Sequence, residues 1–125
     1  YCVDHHFEGL RRLLSDDQKA YNIKDALTAA LASGAVKCAA LSTKEVATLN
    51  YAYKLTHAPA SISEADIDAL RSKGFSDGEI LEVNQVAAYF AYANRTVLGL
   101  GVTTKGDTLG LSPNNSENEN DWGHR

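Results

Sequence analysis

Three features of this chain predict an all-α fold. Only two prolines occur in 125 residues, at positions 59 and 113, so little of the sequence is barred from helix. Three stretches begin with a serine followed three residues later by an acid, the start signal of a capped helix. No segment alternates apolar and polar residues for long enough to read as a strand.

The elements follow in order. Residues 3–14 form a first helix, with Leu10, Leu13 and Leu14 expected to face the core. Residues 18–33 form a second, ended by Gly34. Ser42 and Glu45 fit a capping box and open a third, carrying Val46, Leu49 and Tyr53 at helical spacing. It should stop near His57, because Pro59 disfavours helical geometry in the residue before it. Ser63 and Asp66 open a short helix with Ile67 and Leu70, ended by Gly74. Ser76 and Glu79 open the longest, running to about Leu98 with Gly99 and Gly101 as stops. Its second half, VAAYFAYA, is apolar on every side, and such a helix must be covered all round. A subunit interface is the expected cover, with a central core helix as the alternative. The segment between the last two helices, ALRSKGFSDGEI, is expected to be a helix–turn–helix corner used for packing. A DNA-reading or ubiquitin-binding role has no basic helix or other support.

Composition sets the function classes. The length fits one domain that buries roughly two-thirds of its unfolded surface. With 44% apolar and 22% charged residues it reads as an ordinary globular chain. A net charge of −4 without any basic cluster argues against a nucleic-acid partner, and no apolar run approaches a membrane span. Cys2 and Cys38 are too few for a disulfide framework, so a reducing, cytoplasmic setting is expected. Cys38, within AVKCAAL, reads as a small buried hydrophobe. The helical domain is expected over 1–105. Residues 106–125 are polar and Asn-rich and form a tail in which Trp122 is a candidate anchor.

The chemistry concentrates in the opening YCVDHHFEGL. Cys2 and His6 lie four residues apart and share a helix face. Cys2 sits near the helix N-terminus, where the macrodipole favours a thiolate. A histidine within reach can take the thiol proton and return it to a leaving oxygen. His5 lies about 100 degrees round from His6 and is expected to serve another element. A structural zinc site is the competing use, but it needs a second ligand pair, and His57 and His124 stand alone. A solvent-facing Cys–His pair without chemistry is the third reading.

The YCVDHH block resembles the second half of the Cys-x-x-Cys-x-x-x-His motif of AhpD-like alkylhydroperoxidases, in the carboxymuconolactone decarboxylase superfamily. The resemblance continues from ALSTKEVATLNYAYKLTHAPAS to the Asn94–Arg95 pair and the Leu-Gly that follows, covering residues 1 to about 102. It implies an oligomeric AhpD-like helical bundle, a trimer or hexamer, without cofactor or metal. Cys2 then matches the cysteine that attacks peroxide, and His6 the motif histidine that relays the proton. Asn94 and Arg95 would shape the site or the interface. The first motif cysteine would stand three positions before Cys2, and a glutamate about a dozen residues before that. Both fall ahead of Tyr1, so the expectation is a chain that lacks its N-terminal helices. The implied partners are a peroxide substrate and an external dithiol reductant. A carboxymuconolactone decarboxylase-like enzyme and a non-catalytic helical oligomeric module are the rival functions.

Overall fold

The computed structural model describes residues 1–106 and 109, and every regular element among them is helical. They are α1 (Cys2–Leu14), α2 (Asp17–Ser33), α3 (Thr43–His57), α4 (Glu64–Arg71) and α5 (Asp77–Gly99), with a single 3₁₀ turn at Pro59–Ser61. The expected tail, with Trp122 and His124, lies outside the described residues.

Two serines cap as the sequence predicts. The Glu45 carboxylate accepts from the Ser42 N–H at 2.7 Å, and the Glu45 N–H donates to the Ser42 hydroxyl at 3.2 Å. Ser76 and Glu79 repeat this at 2.7 and 3.3 Å. At α4 the Asp66 carboxylate takes both the Ser63 N–H and its hydroxyl. Helix α2 begins on Asp16, whose carboxylate accepts from the Lys19 N–H. Gly34 ends α2 with φ 73°, a left-handed conformation that costs glycine nothing. Helix α5 runs through Gly99, and the left-handed residue is Gly101.

The helices form two packed groups. In the first, α1 lies on α2, with Ala20, Ile23 and Ala30 of α2 buried and Phe7 edge-on to Tyr21 at 5.2 Å. In the second, α3 packs against α4 and α5 around Tyr51, Leu70 and Ile80, with Leu55, Ile67, Phe75 and Val83 half-buried about them. Phe75, at the corner between α4 and α5, is thus packed against this core. Asn50 joins the groups: its side chain accepts from the Val36 N–H at 2.7 Å and donates to the Val36 carbonyl at 3.2 Å. Val36, in the α2–α3 connection, is fully buried as a result.

Two expectations are corrected. Leu13 is 86% exposed instead of core-facing. Helix α1 packs mainly on α2, so one narrow stripe is covered and Leu13 lies beside it. Cys38 is half-buried instead of fully buried, because it stands in the irregular α2–α3 connection, where no helix covers it on both sides.

Candidate thiol site on α1

Helix α1 places the two predicted site residues one turn apart. Cys2 is its first residue, after the N-cap Tyr1, and His6 follows at the position that overlies it. The N–H groups of a first helical turn have no intrahelical acceptor, so the positive end of the helix dipole lies at the Cys2 thiol. Cys2 is half-buried and free; His6 is exposed.

The imidazole of His6 is steadied from across the molecule. Its ring meets the Phe90 ring of α5 edge to face, with centroids 4.7 Å apart and planes at 85°. Such an aromatic contact adds about 0.5–1.5 kcal/mol beyond area burial, enough to bias one ring orientation. His5 turns elsewhere on α1, its ring 4.8 Å from that of Tyr1. His57 stacks on Tyr53 at 4.1 Å, and its Nδ1 lies 2.9 Å from the Tyr53 carbonyl, far along the chain from Cys2. Among the described residues no three His, Cys, Asp or Glu side chains converge on a metal position.

Cys38 occupies a different environment. Its Sγ lies 3.8 Å from the Asn22 carbonyl oxygen, a weak contact in which the protonated thiol is the donor. Among the described residues no contact with a histidine accompanies it.

Helix α5 borders a groove of about 880 Å³ against α3. Its walls include Leu49, Phe75, Val83, Val86 and Phe90, with Asn94 and Arg95 toward one end. Those two polar side chains turn back on their own helix: Asn94 donates to the Phe90 carbonyl at 2.8 Å and Arg95 to the Ala91 carbonyl at 3.0 Å. Outside the groove, Tyr89 and Tyr92 of α5 are exposed, Tyr92 by 68%. One face of the second half of α5, that of Tyr89 and Tyr92, is therefore uncovered within one chain.

Phe90 is the site residue that sequence reasoning did not connect to His6. Its helix was legible, but no local pattern says which distant ring an aromatic will meet. Compared with family models, curated proteins and solved structures, the chain matches none. No helix of the described residues is long and apolar enough to cross a membrane.

Proposed function

We propose that this chain reduces peroxides through the Cys2 thiolate, in the manner of the AhpD-like alkylhydroperoxidases that its sequence resembles. The observation that carries the reading is the placement of Cys2 at the first position of α1 with His6 one turn on and held by Phe90. The thiolate attacks the terminal peroxide oxygen, the O–O bond breaks, and Cys2 becomes a sulfenic acid. His6 delivers the proton that turns the departing alkoxide or hydroxide into alcohol or water. A dithiol then condenses with the sulfenic acid and expels water, and its second thiol releases Cys2 as the dithiol closes to a disulfide. Phe90 orients the imidazole and takes no part in bond making.

We propose further that the chain acts as a homo-oligomer, trimer or hexamer, with the exposed apolar face of α5 turned toward another copy. Tyr89, Tyr92, Val86 and Leu98 are all exposed on that helix, which supports covering from outside. The same face also favours a second reading, a helical oligomeric module without chemistry, since it requires nothing of Cys2.

Stopped-flow consumption of peroxide in the presence of a dithiol separates the two readings. Cys2→Ser should abolish it and Cys38→Ser should leave it nearly unchanged. His6→Gln should slow it by roughly 10²–10⁴, the usual worth of a positioned acid–base group. Consumption that survives Cys2→Ser would remove the peroxidase reading and leave the oligomeric module.

A further inference from the structure

A second cavity lies between α1 and α2, apart from the α3–α5 groove. It encloses about 470 Å³, within the size range of small-molecule sites. Val3, Phe7 and Leu10 of α1 line one wall and Ile23, Leu27 and Leu31 of α2 the other. Val3, Leu27 and Leu31 are exposed, so the apolar surface runs out to the mouth.

One full charge interrupts this lining. Lys24 borders the cleft; the residue is exposed, and its ammonium lies 4.3 Å above the Phe7 ring centroid at the cleft wall. It forms none of the ion pairs found among the described residues, whereas Arg11, Lys44, Lys54 and Arg71 each meet a carboxylate. A cation at the edge of an apolar slot is complementary to a molecule with an anionic head and a hydrocarbon body. His6 also lines the cleft, so an occupant would lie beside it.

We propose that the α1–α2 cleft binds aliphatic carboxylates, with the head group on Lys24 and the chain along Val3, Leu10, Leu27 and Leu31. A carboxylate recovers a charge-assisted hydrogen bond from the ammonium, and the chain removes both its own and the cleft's apolar surface from water. The binding needs no chemistry at Cys2 and stands apart from the peroxidase reading.

Titration with octanoate, followed by two-dimensional NMR of the intact chain, tests this, with 1-octanol as the uncharged counterpart. The signals of His6, Phe7 and Leu27 should shift and saturate, with Kd of roughly 0.1–1 mM for a ligand of this size. Octanol should bind about five- to tenfold more weakly, the worth of one charge-assisted contact at a partly exposed site. Lys24→Gln should weaken octanoate by the same factor and leave octanol unchanged. Leu27→Glu, which sets a like charge in the slot, should remove octanoate binding while circular dichroism shows the helices retained. Equal affinity for octanoate and octanol, or shifts confined to the α3–α5 groove, would overturn the proposal. So would an oligomer that Leu27→Glu dissociates while octanoate leaves the cleft signals still, which would assign the cleft to a second copy of the chain.

Discussion

At the scale of single residues, two side chains carry more of the structure than their sequence context announces. Ser15, which ends α1, holds φ 51°, a left-handed conformation that a residue with a Cβ adopts at a cost. Ser15→Gly should therefore stabilise the chain by a few tenths to about 1 kcal/mol in urea unfolding, while Ser15→Val should destabilise it by more than that. Asn50 satisfies both backbone groups of buried Val36 and donates as well to the Val46 carbonyl at 3.0 Å. Asn50→Ala would leave a buried N–H and carbonyl without partners, at a cost of about 1–3 kcal/mol by the same measurement. Neither role was legible in the sequence. A left-handed serine has no pattern, and Asn50 acts on a residue in another segment. Cys2 and His6 were legible because their spacing is local and the helix converts it directly into a shared face.

At the scale of elements, the helix boundaries were legible almost throughout, because a capping box and a terminal glycine act on their own neighbours. Ser42–Glu45, Ser63–Asp66 and Ser76–Glu79 all mark true helix starts. What the sequence hid is how the corners are fastened. Arg11 reaches back to Glu8 and forward to Asp17, the first residue of α2, at 2.8 Å. Arg71 does the same with Asp68 and with Asp77, the first residue of α5. In both corners an arginine near one helix end holds the acid that opens the next, where the dipole already favours a negative charge. The Arg11 guanidinium accordingly holds the Asp17 carboxyl below the usual aspartate range. Two further ion pairs cross between helices. Lys54, with the Ser63 N–H, lowers Asp66 from 3.8 to about 2, and Lys44, with the Ser76 N–H, lowers Glu79 from 4.5 to about 2. A carboxylate depressed in the folded state binds fewer protons there than in the unfolded chain. Its contribution is present above about pH 4.5 and is lost as the pH falls toward 2. Unfolding midpoints should thus drop across that window, and Lys54→Met should flatten the drop; an unchanged acid profile would mean that the Lys54–Asp66 pair adds nothing.

At the scale of the whole molecule, α5 faces both ways. Its inner side closes the Tyr51–Leu70–Ile80 core, where Leu70 is 2% exposed, so Leu70→Ala should cost about 2–5 kcal/mol. Its outer side carries the uncovered tyrosines, and the all-round apolarity of VAAYFAYA already pointed to that second surface. Tyr92 is the residue with which to test that surface, because Phe90 in the same stretch touches His6 and its loss would disturb the site as well. Tyr92→Asp should shift light scattering from oligomer to monomer with the helices intact, since a bare charge in an apolar interface costs several kcal/mol. A wild-type chain that is monomeric at micromolar concentration would remove the assembly proposal.

The central claim is that peroxide reacts at Cys2 because α1 gives that thiol a helix N-terminus and a histidine. The most direct measurement is residue-resolved mass spectrometry after a brief peroxide pulse, with a sulfenic-acid trap present. Both cysteines are free and half-buried, so accessibility alone does not favour either. The account predicts trapped sulfenic acid at Cys2 while Cys38, whose thiol meets the Asn22 carbonyl, stays reduced, and a slower Cys2 signal in His6→Gln. Oxidation of Cys38 ahead of Cys2, or a Cys2 rate indifferent to His6, would contradict it.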